Sequence, residues 1–362
     1  MTRREEEILE LISKNPLISQ KEIAEQLGIT RSSVGVHIGN LMKKGYIIGK
    51  GYIVKRKPYI AVVGGANVDI IGLPYKSLIM EDSNPGNTTI SLGGVGRNIG
   101  ENLARLGIDT RLITVLGSDI YGKQIVEDGM KIGLDMSDSL IVQDKDTSTY
   151  LAILDENGDM KLALSSMDIF ENLSVPFIES KRDIIENSRL CVVDTNIPEE
   201  VIRYMVENIE ADYFLDTVST TKAQKVKDII GSFHTIKPNK IEAEILSGIE
   251  INSQDDLKRA SYYLLEKGVK RVFISLGEKG IYYFDGKIER YVFPPKANIK
   301  NATGAGDAFL AGVAYSYFND FSIEETLNFA IGASILTLED ENTINPNISP
   351  EKIKKRMEME IC

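Results

Sequence analysis

Leu190-Cys191-Val192-Val193-Asp194, then residues 198–208, then Tyr213-Phe214-Leu215-Asp216 follow one another as an apolar strand, an amphipathic helix and a second apolar strand. A strand buried on both faces reads as an unbroken hydrophobic run, so the spacing predicts parallel neighbours joined by a helical crossover. The same alternation extends in both directions. Residues 59–63, 111–116, 235–236 and 271–275 have strand character, and 98–106, 121–131, 254–267 and 305–318 have helical character. The prediction for residues 58–362 is therefore α/β: a mostly parallel sheet with helices on both faces, with ligands bound beyond the carboxyl ends of its strands. Two stretches, 69–92 and 147–164, hold short apolar segments without a long helix. Asp155-Glu156-Asn157-Gly158-Asp159 has the composition of a hairpin turn. A small sheet projecting over the site as a lid is expected from them.

Residues 1–57 are different. They carry 11 Lys and Arg against 6 Glu, a net of +5, and leave −16 to the rest of a 362-residue chain whose formal charge is −11. A basic segment suits a polyanion, which the acidic remainder would repel. Ile8, Leu9, Leu11 and Ile12 mark a first helix stopped by Asn15-Pro16. Ser19 and Glu22 form a capping box for a second, with Ile23, Ala24 and Leu27 inward and Gly28 at the turn. Thr30 caps a third, in which Val34, Ile38, Leu41 and Met42 are expected inside. Residues 46–54 read as two short strands around Gly49-Lys50-Gly51. This order resembles a winged helix-turn-helix, with residues 30–44 as recognition helix. Arg31, Ser32, Ser33 and His37 would then lie towards a DNA groove, and Lys50 near phosphate on the wing. A small basic interaction domain is the plainer alternative.

Cys191 and Cys362 give neither a disulfide framework nor a zinc spacing, and His37 and His234 are far apart. The apolar run 329–338 is too short to cross a bilayer, and residues 1–10 are too charged for a secretory leader. A cytoplasmic location is expected.

Candidate chemistry concentrates in short motifs. Asn301-Ala302-Thr303-Gly304-Ala305-Gly306-Asp307 opens an apolar helix. Small residues at 304–306 let main-chain N–H groups approach an anion at the positive end of that helix. Asp307, in its first turn, can accept a proton from an attacking hydroxyl, or can simply be an acid well placed at a helix start. Gly93-Gly94-Val95-Gly96-Arg97-Asn98 misses the dinucleotide spacing G-x-G-x-x-G by one position, and no G-x-x-x-x-G-K-[ST] occurs, which disfavours a Rossmann dehydrogenase or a P-loop enzyme. Gly94 can let a polyol lie on bare backbone while Asn98 offers a donor and an acceptor. Asn67 and Asp69 can hold vicinal hydroxyls or merely cap turns. Asn239 and Glu242 have the spacing of a capping pair, yet beside phosphates the carboxylate could organise water around Mg2+. Ser275-Leu276-Gly277-Glu278-Lys279-Gly280 suits a nucleotide or an ordinary hairpin.

Together, and in this order, the motifs resemble the ribokinase-like, PfkB-type family of sugar and nucleoside kinases over about residues 58–355. The resemblance implies Asp307 as catalytic base and the backbone of Gly304, Ala305 and Gly306 as anion hole. It implies Asn239 and Glu242 on Mg2+ and phosphates, Ser275, Gly277 and Gly280 on ATP, and Asn67, Asp69, Gly94 and Asn98 on the sugar. Residues 93–107, with Arg97 where many relatives have a small residue, and 147–152 look most like the pseudouridine kinases. Thr149 and Asn196 are then implied as substrate contacts, and the 5′-hydroxyl of pseudouridine as acceptor. Other acceptors, such as ribose, fructose or another nucleoside, stay open, as does a ligand-sensing DNA-binding regulator. Asn301 stands where much of the family has an aspartate associated with a monovalent cation, which leaves K+ activation open. A homodimer is expected.

Overall fold

Thr2, Ser19 and Thr30 each accept a main-chain N–H three residues on, and each side chain so placed starts a helix: α1 (Arg3–Lys14), α2 (Gln20–Leu27) and α3 (Arg31–Lys43). The first two caps are reciprocal boxes with Glu5 and Glu22. Ile8, Ile12, Ile23, Val34, Ile38, Leu41 and Ile47 close a separate small core, so the three-helix reading holds in a computed structural model that describes residues 1–49 and 57–358. Met42 departs from the expectation, being 46% exposed. One residue beyond Leu41 is a turn of about 100°, enough to carry it off the buried stripe. Lys50 and the second wing strand lie outside the described residues. Glu5, almost wholly buried, meets the Lys44 ammonium at 2.7 Å, which holds its carboxyl down to about 2.

The chain divides into two compact units, Met1–Pro58 and Tyr59–Cys362. The second begins β1 (Ile60–Val63), β2 (Asn67–Pro74), β3 (Gly86–Gly93), α4 (Val95–Arg105), β4 (Thr110–Ile113), β5 (Val115–Gly117), α5 (Ile120–Ile132), β6 (Leu134–Asp135) and β7 (Leu140–Val142). There follow β8 (Thr149–Leu154), β9 (Met160–Ser166), α6 (Val175–Glu179), α7 (Arg182–Glu186), β10 (Leu190–Asp194), α8 (Glu199–Asn208), β11 (Tyr213–Asp216), α9 (Thr220–Ala223) and β12 (Thr235–Ile236). Last come α10 (Lys240–Ser247), α11 (Gln254–Lys267), β13 (Arg271–Ser275), β14 (Ile281–Phe284), β15 (Glu289–Val292), α12 (Ala305–Phe318), α13 (Ile323–Leu338) and α14 (Pro350–Glu358).

Nine strands form one sheet in the order β15-β14-β13-β12-β11-β10-β1-β4-β6. It is parallel from β13 to β6 and antiparallel at β14 and β15. Successive residues of each strand feed opposite faces. Ala61, Val63, Cys191, Val193 and Leu215 pack with α8, α10 and α11. Ile60, Val62, Leu190, Val192 and Phe214 pack with α4, α12 and α13. The run expected as one strand at 111–116 is broken at Thr114. Its N–H bonds the Ser139 hydroxyl and its carbonyl the Leu140 N–H, so β5 leaves the main sheet and pairs with β7.

The stretches 69–92 and 147–164 supply a four-stranded sheet, β3-β2-β8-β9, the lid the sequence suggested. Asp155 ties the β8–β9 turn by accepting from the N–H groups of Asn157 and Asp159. Among the described residues no helix is long and apolar enough to cross a membrane. In the main sheet β1 has β4 on one side and β10 on the other. The chain runs outward through β4 and β6, then returns to β10 and runs the other way. Such a reversal opens a crevice at the carboxyl ends of the strands.

Candidate active site

Of the strands around that reversal, β10 and β11 each deliver an aspartate at the carboxyl end. β1 runs into Gly64-Gly65, and β10 ends on Asp194, which is buried. Asp194 accepts from the Gly65 N–H through Oδ2 and from the Asn196 N–H through Oδ1, both at 2.8 Å. These bonds favour the ionised form, but burial outweighs them and raises its carboxyl above the ordinary range. β11 ends on Asp216, in register with Asp194. The Asp216 Oδ2 lies 3.2 Å from the buried Lys237 ammonium, just past the end of β12. Thr217 donates to Glu242 Oε2 at 2.6 Å, linking β11 to the start of α10.

Two helices begin at the same edge without a side-chain cap: α4 after Gly94 and α12 after Gly304. Gly94 (φ +98°) and Gly304 (φ +81°) have left-handed or related backbone. A β-carbon on Gly94 would lie 2.5 Å from the Gly65 carbonyl, and one on Gly304 2.0 Å from the Thr343 carbonyl. Only glycine fits either place. The first turn of α12 has no side-chain cap, and the Lys237 ammonium lies 3.2 Å from where a Gly306 β-carbon would stand. Gly304, Ala305 and Gly306 thus put bare main chain at a positive helix end, an arrangement able to hold an anion.

Asp307 follows in the first turn of α12, half-buried. Its Oδ2 accepts from the Asn98 amide at 2.8 Å. Burial, then the nearby Asp216 charge, pushes its carboxyl up to about 7, against the Asn98 hydrogen bond and the Lys237 charge, with Asp194 adding to the rise. A carboxylate poised near neutrality can take a proton and hold it. Asn98 itself is buried, and its Oδ1 has no hydrogen-bond partner among the described residues. A buried orphan acceptor is a place for a ligand hydroxyl.

Asn67 and Asp69 stand on one face of β2, with the Asn67 amide donating to Asp69 Oδ1 at 2.7 Å. Asn67 pairs with Gly93 immediately before α4, so both belong to the edge that carries Asn98. Burial raises the Asp69 carboxyl, opposed by the Asn67 bond and the Arg97 charge. The strand register sets Tyr150 beside Asp69 and Thr149 beside Val68. Thr149 therefore lies on the other face of the lid from Asp69, and Tyr150 shares its face. Arg97 is buried among Glu101, Asp128 and the Leu92 carbonyl.

Asn239 and Glu242 are a reciprocal capping box on α10, with bonds of 2.9 Å each way. Ser275 bridges to Asn239, and its N–H bonds the Pro238 carbonyl at 3.0 Å. Gly277 and Gly280 turn the chain between antiparallel β13 and β14, so that segment is a tight strand connection set beside the α10 start. Asn301 accepts from Thr303 N–H and donates to the Glu341 carbonyl. Among the described residues no three metal-ligating side chains cluster. The sequence reading passed over Asp194, Asp216, Thr217 and Lys237; the available signal was an aspartate closing each of two consecutive strand runs.

A model of the pfkB family of carbohydrate kinases matches residues 57–350, and one of winged helix-turn-helix DNA-binding domains matches residues 1–48. The uncharacterized sugar kinase YeiI of Escherichia coli (strain K12) is 36% identical over 353 residues, covering 97% of this chain and 98% of that protein. The pseudouridine kinase of the same organism is also 36% identical, over 311 residues, covering 85% of this chain and 99% of that protein. A crystal structure of a candidate sugar kinase from Clostridium perfringens superimposes with a TM-score of 0.78 at 43% identity, covering 84% of this chain and 97% of that one. Arabidopsis thaliana ribokinase, complexed with ribose and ATP, shares the fold at TM-score 0.76 and 23% identity, covering 83% of this chain and 99% of that one.

Proposed function

The chain belongs to the pfkB family of carbohydrate kinases, and we propose that it transfers the γ-phosphoryl group of ATP to the 5′-hydroxyl of pseudouridine. The observation that carries this reading is the convergence of Asn98 and Asp307, from two helix starts, on one opening beside Asn67 and Asp69. Asp307 Oδ takes the proton as the acceptor oxygen forms its bond to phosphorus and the bond to the β-phosphate oxygen breaks, releasing ADP. The α12 N–H groups and Lys237 face the charge carried by the phosphoryl oxygens, the kind of stabilisation that counts most in this reaction. Asn67, Asp69, Gly94 and Asn98 hold the ribose, and Asn196 completes the acceptor side; Thr149, on the lid face opposite Asp69, has no part in it. Ser275, Gly277 and Gly280 border the nucleotide.

The donor set also suits Mg2+, an ion that binds through one or two carboxylates, waters and substrate phosphates. Glu242, buried beside Thr217 at the α10 start with Asn239 next to it, would be the carboxylate that holds it. When bound, the ion neutralises phosphate charge. The share of sequence held in common with the E. coli pseudouridine kinase supports the nucleoside acceptor, and the equal identity to YeiI makes the acceptor the point to test. ATP-dependent phosphorylation measured across pseudouridine, uridine, inosine, ribose and fructose decides it: kcat/KM should be highest for pseudouridine, and a higher value for a base-free sugar overturns the reading.

For the first unit we propose DNA binding through α3. Arg31 and Ser32 are exposed at its start, with Ser33 half-buried in the same turn and His37 half-buried one turn on. The match to DNA-binding winged helices and the net positive charge support this. Titrating the protein against duplex DNA with and without pseudouridine tests at once whether DNA is bound and whether the acceptor regulates it.

A further inference from the structure

A lysine outside every motif discussed so far reaches the acceptor side of the crevice. Lys222, on α9, donates to Asn196 Oδ1 at 2.5 Å. Its Nζ also lies 4.0 Å from the sulfur of Met167, the residue that follows the last lid strand β9. Lys222 therefore sits where the lid leaves the main sheet, beside the carboxyl end of β10. Its backbone N–H is held by the Ser219 cap, and Asn196 is anchored through its own N–H to Asp194.

An ammonium has three donors and no acceptor. The Asn196 atom it meets must be the oxygen, so the flip of that amide is determined by its partner. Asn196 Nδ2 is turned the other way, 2.9 Å from where a β-carbon of Gly65 would stand. Gly65 has none, and the N–H passes over bare backbone at the end of β1. Gly65 thus has Gly94, one of the residues proposed to hold hydroxyls, against its carbonyl and Asn196 against its α-carbon.

We infer that Lys222 is a positioning residue that locks the Asn196 amide so that Nδ2 donates to a carbonyl oxygen of the nucleobase, making the site select for a base-bearing substrate. This rests on the nucleoside-kinase reading above and adds the element that tells a nucleoside from a free pentose. A site built to donate one buried hydrogen bond rejects an analogue lacking the acceptor. Without the ammonium, the amide is free to turn its oxygen towards a carbonyl, which repels it.

The test compares the full-length parent with Lys222→Met, Lys222→Arg and Asn196→Asp. KM for pseudouridine and for ATP and the inhibition constant of ribose against pseudouridine are measured, with melting curves to confirm folding. In Lys222→Met, KM for pseudouridine should rise about tenfold, more than the ribose constant, while KM for ATP moves less than twofold; Lys222→Arg should recover most of that rise. Asn196→Asp keeps a partner for Lys222 but loses the Nδ2 donor, and should shift the pseudouridine-to-ribose ratio the same way even if Lys222→Met does not fold. Adding Lys222→Met to Asn196→Asp should change that ratio less than twofold further. A pseudouridine KM within twofold of the parent in folded Lys222→Met or folded Asn196→Asp, or equal losses for pseudouridine and ribose in these two, overturns the inference alone. A parent that phosphorylates only base-free sugars overturns the nucleoside reading and this inference together.

Discussion

The amide of Asn98 lies 2.8 Å from the carboxylate of Asp307, a hydrogen bond that joins the first turns of two helices far apart in the chain. It brings the residue read as a hydroxyl ligand into contact with the residue read as the base. With Nδ2 committed to Asp307, the orphan Oδ1 of Asn98 is left to accept from a substrate hydroxyl. In the proposed reaction one amide thus links the acceptor to the group that deprotonates it.

Asp307→Asn should lower kcat by about 10²–10⁴-fold, the usual worth of a positioned general base. ATP affinity should change little, because the cradle at 304–306 is main chain. Steady-state kinetics with pseudouridine, paired with calorimetric titration of ATP, checks both halves; turnover within tenfold of the parent removes Asp307 as base.

The direction of the Asp307 shift fixes a pH dependence. Its carboxyl titrates near 7 in the folded protein, against 3.8 ordinarily. Below that pH it is protonated and cannot accept, so kcat/KM should fall on the acid side with a limb near 7 and level off above it. Asn98→Ala removes a donor that favours the ionised form, and its limb should move to higher pH; Asp307→Asn should show no such limb. Stability follows the opposite sign. The folded state disfavours the charge, so the cost is absent below about pH 4, grows between there and about 7, and is complete above 7. Asp307→Asn should therefore melt a few degrees higher than the parent at pH 8 and equally at pH 4.

How much of this was legible beforehand depends on whether the cause is local. The strand at 190–194, the helix that follows it, the capping box of Ser19 and Glu22, and the lid stretches all act over a few residues, and each was readable. Thr114 was not, because what pulls β5 out of the main sheet is Ser139 and Leu140, reached across a helix and a loop. The same holds for Asp194, Asp216 and Lys237. In sequence an aspartate after an apolar run reads as a turn residue, and only the strand order sets two of them side by side, one of them against a lysine. Lys222 carries no local mark at all. Glycine is the intermediate case: Gly94 and Gly304 announce unusual backbone, but the carbonyls that crowd them come from Gly65 and Thr343.

Gly304→Ala separates backbone preference from site geometry when set beside Gly107→Ala. Both glycines have positive φ, +81° and +86°, and a side chain costs about 1–2 kcal/mol in that region. At Gly107 a β-carbon meets nothing within 4 Å, whereas at Gly304 it collides with the Thr343 carbonyl. Gly107→Ala should lose that modest stability and keep its KM for ATP. Gly304→Ala should lose more and raise KM for ATP at least tenfold, since the loop must shift to admit the methyl group. Equal ATP affinities in the two variants would detach Gly304 from phosphate binding.

Arg31→Ala tests the first unit. Arg31 is exposed at the first position of α3, where its guanidinium and the helix start both favour a phosphate. If α3 docks on DNA, each lost phosphate contact lowers the slope of log affinity against log salt by about 1, and weakens binding to all sequences alike. Fluorescence anisotropy with a labelled random duplex between 50 and 200 mM salt, concentrations over which such contacts are strongly screened, should show the shallower slope in Arg31→Ala. His37→Ala, half-buried one turn further on, should leave the slope unchanged because a contact to a base edge neutralises no phosphate. A slope in Arg31→Ala equal to that of the parent would place the DNA-facing surface somewhere other than the start of α3.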